Sequence, residues 1–443
     1  MTHSPLRIAT TQQLHRAVRE AGYEALLLPE PSPLDIHGSI DKRVGDGRVH
    51  HPFLEANHAD LVIDFNTTAL TFVADGDNGS QFNLTTAALG IPYVSWYLDP
   101  VTSTMQQVNW ADHWHILEQS NWIKCMFDPD LTDELIRLRI PNALYLTMAV
   151  NDFDFDRTTP DVDDGPTVVA FMGHPATSWF SHASPVLSNA LFPGMMCAAA
   201  RTDMPDMPFH KLYYDLYGFA EPIHESDDRA ARANKALRYF NDKFAYNAFL
   251  ALKQRERFVR FLRLKLGHAF ELVGDHWAAN YGYEHTPRIW DRAELYAKIR
   301  RTPICLNLMK GNLESGLNLR HFEVTGCGGF LLTYWTAELP KFFEVGVDCD
   351  VFHDEQELLQ KIDFYLRHPA KRQEIARAGQ ERTLSQHLCS HRITAVVDTL
   401  RAAGALPGGP PAASLPRDQI VAPTATAKRT APEAPTIAHE ETT

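Results

Sequence analysis

The sequence predicts an α/β chain made of two doubly wound units, each built on a parallel sheet. Three observations carry that prediction. Short apolar runs alternate with helix-length stretches through the first 150 residues, and the same rhythm resumes at residue 166. Between them lies NDFDFDRTTPDVDDGP (151–166), which has acidic, proline and glycine punctuation and no apolar periodicity. A length of 443 residues calls for more than one domain, and a 44% hydrophobic content is enough for ordinary cores.

In the first unit, at 1–150, the apolar runs are YEALLL from Tyr23, DLVIDF at 60–65, PYVSWYL at 92–98, WIKCMFD at 122–128 and ALYLTMAV at 143–150. Segments 81–89 and 130–139 supply helices between them, so the pattern is β-α-β. Residues 151–165 are the linker. The second unit, at 166–402, opens with PTVVAFMGH at 166–174 and resumes with AFELVG at 269–274, TPICLNLM at 302–309 and GFLLTYW at 329–335. A helical insert fills 176–267; its section from Ser226, a possible N-cap, to Leu266 is rich in Ala, Arg, Lys, Phe and Leu at helical spacing. Residues 354–402 read as a helical end. From 403 to 443 the chain has no aromatic residue and is crowded with Pro, Ala and Thr, so it is expected to be a disordered tail.

Several function classes are disfavoured. With 42 Lys+Arg against 55 Asp+Glu, the net charge of −13 argues against a nucleic-acid binder. No run approaches the ~18 apolar residues of a membrane span, and the N-terminus lacks a signal core, which leads to the expectation of a soluble cytoplasmic protein. The six cysteines are far apart, without zinc-finger spacing, and read as buried reduced thiols. Asp152, Asp154 and Asp156 supply hard oxygen ligands, but a solvated linker explains them better. His113 and His115, with His50, His51 and His58 upstream, would share a face only on a strand and lack a third zinc ligand, so no metal site is assigned.

The most informative run is LNLMKGNLESGLNLRHFEVTGCGGFLLT (306–333). A strand leads through Lys310-Gly311-Asn312 into a helix from about Leu317 to Thr325, broken at Gly326-Cys327-Gly328-Gly329. In α/β sheets, ligands sit at the C-terminal ends of strands and the following helix N-termini, where free amides and the helix dipole favour phosphate. Asp99, ending another apolar run, is at a position where a carboxylate can orient or deprotonate an acceptor hydroxyl; as a helix N-cap it would be ordinary.

The run GLNLRHFEVTGCGGFLLT, followed by AEL (337–339), VFHD (351–354) and YLRHP (365–369), resembles the nucleotide-binding half of GT-B glycosyltransferases. It is most similar to the spore-maturation (CgeB-type) branch, whose C-terminal domain is like glycosyltransferase group 1. GIPYVSWYLDP (90–100) and FMGHP (171–175) add weaker likeness. The resemblance implies two Rossmann-like domains facing a cleft, the acceptor side first and the donor side second. It implies a glycosyltransferase that takes a UDP-, GDP- or dTDP-linked sugar and passes the sugar to a hydroxyl of a glycan, protein or small molecule, with no metal required. Glu323 takes the ribose-binding role of the family glutamate. Eight positions earlier, where many retaining members carry a second glutamate, stands Ser315, so that role falls to Glu314 or to Asn318. Arg320 and Lys310 would neutralise the leaving diphosphate. Gly316, Gly328 and Gly329 would permit close backbone approach, while Gly173, His174 and Gly274 would face the donor. The rival readings are a nucleotide-sugar epimerase of the same fold and a non-catalytic scaffold that binds a nucleotide sugar or a protein.

Overall fold

The computed structural model describes residues 6–30, 40–75, 81–99, 110–151, 155, 167–175 and 187–406. Of the expected linker only Asn151 and Phe155 are among them, and of the expected tail only 403–406, so Asp152, Asp154 and Asp156 lie outside the described residues.

The first sheet contains β1 (Arg7–Thr10), β2 (Glu24–Leu27), β3 (Leu61–Phe65), β6 (Tyr93–Trp96), β7 (Trp122–Met126) and β8 (Ala143–Tyr145). They lie in the order β2-β1-β3-β6-β7-β8, every pair parallel. Parallel strands covered on both faces need apolar side chains on both. All residues of β3, β6 and β7 are buried, whereas the edge strand β2 is exposed at its two ends and half-buried between them. Helices α1 (Gln12–Glu20), α2 (Ile40–Ala56), α3 (Thr85–Ala88), α4 (Trp110–Leu117) and α5 (Pro129–Arg137) make the connections.

The helix expected at 81–89 is mostly strand. Gln81-Phe-Asn-Leu84 alternates polar and apolar, and it forms β5 (Gln81–Leu84) antiparallel to β4 (Phe72–Asp75), leaving one helical turn at α3. His113 and His115 lie on helix α4 and not on a strand; His115 Nε2 is 2.9 Å from the Phe82 carbonyl oxygen.

The second sheet contains β9 (Val169–Met172), β10 (Phe270–Val273), β11 (Ile304–Asn307), β12 (Leu331–Tyr334) and β13 (Asp350–Phe352), in the order β10-β9-β11-β12-β13 and again wholly parallel. The chain winds one way from the first strand and then back past it in both sheets. The order therefore reverses between β1 and β3 in one sheet and between β9 and β11 in the other. A crevice opens at such reversals, beyond the strands' C-terminal ends.

After β9 comes the insert, with α6 (Leu187–Asp203), α7 (Arg229–Ala251) and α8 (Arg257–Leu266). The helical reading here holds, with two interruptions in which the ladder widens to π geometry, Lys211–Leu216 and Leu252–Glu256. The remaining helices are α9 (Trp277–Tyr281), α10 (Arg292–Arg301), α11 (Leu319–Gly326), α12 (Glu355–Arg367), α13 (Pro369–Gln386) and α14 (Cys389–Ala402). The chain thus has the GT-B architecture of two Rossmann-like α/β units.

Helix α14, grouped by sequence with the second unit, returns to the first sheet. Val150 N–H donates to the His387 carbonyl at 3.2 Å and Cys389 N–H to the Val150 carbonyl at 2.8 Å. From there Ile393, Val396, Val397 and Leu400 join Ile8, Leu14, Val18 and Ile63 in one buried cluster. The apolar face of α14 matches one face of the first sheet, and burying it there satisfies both.

Candidate active site

A cleft of about 490 Å³ lies between the C-terminal ends of the two sheets. The loops after β9 and β11, at the second sheet's reversal point, form one wall with Gly173, His174, Leu308, Lys310 and Asn312; Asn66 and Asp99, after β3 and β6, form the other. Arg255, Arg288, Arg292, Lys310 and Arg320 line it against the carboxylates Asp99 and Glu323. In a chain of net charge −13, that local excess of cations sets the cleft apart.

The floor of the cleft is a closed polar network. Asn307, ending β11, and Asn318, preceding α11, exchange side-chain amide bonds of 3.0 and 3.2 Å. Asn307 Nδ2 also donates to Thr333 Oγ1 at 3.1 Å, and Thr333 Oγ1 lies 3.1 Å from His321 Nε2. His321 is fully buried, and desolvation pushes its pKa down to about 4, so the ring is neutral. This network has a consequence for α11. An asparagine at the N-cap position normally turns back onto the helix amides, but Asn318 makes no such bond. The His321 N–H donates to the Asn318 carbonyl at 3.2 Å, while the Leu319 and Arg320 amides have no acceptor among the described residues and stay open beside the cleft. Arg320 and Glu323 project from the same helix and pair at 3.0 Å.

Arg255 is a residue the sequence reading passes over. It lies on the π-helical turn Leu252–Glu256 and is 7% exposed. Its Nη1 donates to the His174 carbonyl at 2.9 Å and its Nη2 to the Leu308 carbonyl at 3.2 Å, so it ties together the two loops at the reversal point. Nε makes no hydrogen bond among the described residues. In a run of helical Arg and Lys, nothing marks this arginine as buried; its π turn is the one local irregularity, and it is visible only in the fold.

His174 accepts the Asp275 N–H at Nδ1, 3.1 Å away. Desolvation lowers its pKa, so the ring is neutral with its proton on Nε2. Gly274 has φ +152, and a Cβ there would stand 2.4 Å from the Gly173 carbonyl oxygen. The loops after β9 and β10 therefore touch through glycine backbone. Trp277 donates Nε1–H to the same Gly173 carbonyl at 2.8 Å and is fully buried, which makes it a core residue.

On the facing wall, Asn66 adopts a left-handed conformation with φ 53, which asparagine tolerates. Its Oδ1 accepts the Leu98 and Asp99 amides at 2.7 and 3.1 Å, and its Nδ2 donates to Asp99 Oδ2 at 3.2 Å. Asp99 is held in place by this bracket. Lys310 lies opposite, its side chain about half exposed.

Four of the sequence candidates are elsewhere. Glu314 is absent from the cleft lining and sits in a buried ionic network, where Lys243 Nζ is 3.1 Å from Oε1, Arg201 Nη1 3.5 Å from Oε2, and Tyr246 donates its hydroxyl to Oε2 at 3.2 Å. Burial alone would raise its pKa, but Lys243 and Arg201 outweigh that and hold it below the usual value. The correction has a simple reason: the helical insert surrounds this side chain, and the sequence does not show where the insert folds. Gly316 packs against Asp128 of the first unit, where a Cβ would come within 2.9 Å of the Asp128 Cβ. Gly328 and Gly329 form the turn that starts β12, at the end of the sheet remote from the cleft, against Gln380 and Ile299. Among the described residues no group of three His, Cys, Asp or Glu side chains could hold a metal ion, and no helix is long and apolar enough to cross a membrane. All six cysteines are buried and unbridged.

Comparison with known proteins gives a local match and distant structural likenesses. Among curated proteins no match is found. Sucrose-phosphate synthase from Thermosynechococcus elongatus aligns over 90% of this chain and 100% of its own, with 12% identity and a TM-score of 0.46. The Anabaena protein HepE in complex with UDP-glucose aligns over 90% and 99%, with 9% identity and a TM-score of 0.42. A putative UDP-N-acetylglucosamine 2-epimerase from Listeria monocytogenes aligns over 90% and 96%, with 10% identity and a TM-score of 0.40. Residues 253–398, which carry Arg255, Lys310, Arg320 and Glu323, match the family model described as glycosyl transferase-like, so this part of the GT-B fold is similar to that family.

Proposed function

We propose that the protein transfers a sugar from a nucleoside diphosphate donor to an acceptor hydroxyl. The observation that carries this reading is the asymmetry of the cleft. Its second-unit wall holds the cations Arg255, Lys310 and Arg320 beside an uncapped helix N-terminus, and its first-unit wall holds the bracketed carboxylate Asp99. A diphosphate fits the first wall and a hydroxyl nucleophile the second.

In this reading Glu323 accepts the two ribose hydroxyls, and Lys310, Arg320 and the α11 amides take the diphosphate, which needs no metal for its charge. Arg255 fixes the loops that carry these groups and adds its charge to the same wall. His174 offers a neutral Nε2–H donor. The acceptor oxygen attacks the anomeric carbon, the bond from that carbon to the β-phosphate oxygen breaks, and the nucleoside diphosphate departs. Asp99 receives the acceptor's proton. Holding both substrates in one cleft removes most of the entropic barrier to their meeting.

The test is thermal stabilisation by UDP, GDP and dTDP, with the wild type and Glu323→Ala in parallel. A ligand at about 100 times its Kd adds about 2.7 kcal/mol to the native state. A shift with one of the three that disappears in Glu323→Ala supports the reading, and no shift with any of them sinks it. Release of free nucleoside diphosphate from a sugar nucleotide then separates transfer from isomerisation of the donor.

A further inference from the structure

Asp128 ends the strand region after β7 in the first unit, is fully buried, and uses its two oxygens in two different directions. Oδ1 caps α5, accepting from the Asp130 and Leu131 amides at 2.9 and 3.4 Å. Oδ2 crosses to the second unit and accepts three consecutive amides, Glu314 at 2.8 Å, Ser315 at 3.0 Å and Gly316 at 2.8 Å. Three successive N–H groups converging on one oxygen form an anion nest. A side chain of this chain's other unit fills it.

The contact is close because residue 316 is glycine. A Cβ there would lie 2.9 Å from both Asp128 Cβ and the Phe127 carbonyl oxygen. Ser315 adds a second crossing bond, its hydroxyl donating to Asp130 at 2.6 Å. The loop pinned in this way runs from Lys310 to Asn318. Its first residue is a cleft cation, and its last precedes the open N-terminus of α11.

We infer that Asp128 is a positioning residue for the donor site: reaching across from the acceptor-side unit, it sets the backbone of 314–316 and through it the placement of Lys310 and the first turn of α11. The link to donor binding rests on the proposed function, while the placement of the loop does not. A carboxylate is required. An amide has one acceptor and would turn an NH₂ group toward N–H donors on one side or the other. Serine at 128 is short but a good helix cap, so it keeps α5 capped and removes only the arm that reaches the nest.

The experiment compares Asp128→Ser and Gly316→Ala with Asp228→Ala. The last deletes an exposed cap of α7, whose carboxylate accepts the Ala231 amide and touches neither the cleft nor the loop. Amide hydrogen exchange is followed for 310–319, and affinity is measured for UDP, GDP and dTDP. Expected for both first variants are loop amides exchanging about tenfold faster or more, and a comparable weakening of whichever nucleotide the wild type binds, with neither change in Asp228→Ala. Loop exchange at the wild-type rate in Asp128→Ser overturns the inference, as does a nucleotide affinity that changes no more than in Asp228→Ala. Should the wild type bind none of the three, the proposed function falls, and the exchange measurement alone decides whether Asp128 places the loop.

Discussion

Lys310 Nζ and Asp99 Oδ1 stand 3.8 Å apart across the cleft, one from each unit. The two side chains are each about half exposed, so the pair is open to solvent and contributes little to stability. Its importance is positional, since inside the cleft it sets a second-unit cation against a first-unit carboxylate. A ligand phosphate and an acceptor hydroxyl entering there would each take one partner from it.

That geometry separates the two roles. Asp99→Asn is expected to lower turnover by about 10²–10⁴ while leaving nucleoside diphosphate affinity within about threefold, because the amide keeps its bond to Asn66 but cannot take a proton. Lys310→Met is expected to weaken nucleotide affinity about tenfold or more. Calorimetric titration and steady-state rates on the two variants check this. An Asp99→Asn enzyme with full turnover would remove the base from the mechanism.

Glu314 should behave as a structural group. Removing it leaves Lys243 and Arg201 buried without this carboxylate, a situation that costs about 3–5 kcal/mol. Glu314→Ala is expected to lower the denaturant midpoint accordingly, and any folded fraction should bind nucleotide normally. A stable variant with lost catalysis would restore a direct chemical role.

Asp64 on β3 makes stability depend on pH. It is fully buried and accepts the Ala69 amide and the Tyr93 hydroxyl, yet desolvation outweighs these bonds and pushes its pKa up to about 7. Because the folded value lies above the unfolded one, the folded state binds the proton more tightly. The stabilisation is complete below about pH 4 and is lost as pH rises towards 7, at about 1.4 kcal/mol per unit. Asp64→Asn should flatten the stability curve between those limits; a wild-type curve already flat there contradicts the assignment.

Gly274→Ala is expected to destabilise by more than about 3 kcal/mol, since a methyl group would press into the Gly173 carbonyl and φ +152 already excludes ordinary side chains. Gly282, with positive φ but open space around it, should lose only about 1 kcal/mol on the same change. Paired thermal melts of the two variants make the comparison.

The strands were readable in the sequence because parallel strands buried on both faces appear as continuous apolar runs, as in LVIDF and WIKCM. Strand β1 escaped because it is four residues long and carries Arg7 and Thr10. In the site, Asp99, His174 and Lys310 line the cleft from strand ends and the loops after them, which are legible from local order along the chain, while Arg320 and Glu323, singled out by the resemblance, line it from α11. Arg255 and Asp128 depend on encounters between distant segments. Arg255 meets a carbonyl 81 residues away and Asp128 an amide 188 residues away. Local pattern contains no record of such pairs, and a charged residue in a helical or turn segment reads as solvated until the partner is known.

The return of α14 to the first sheet joins the fates of the two units. The chain enters the second unit after Val150 and comes back at Leu388, so the first unit's hydrophobic layer is completed by a helix synthesised after the second unit's strands. A nascent chain cannot finish its first unit before its second. Heating should accordingly melt the two together in a single calorimetric transition, and a chain ending before Cys389 would leave a face of the first sheet open to water.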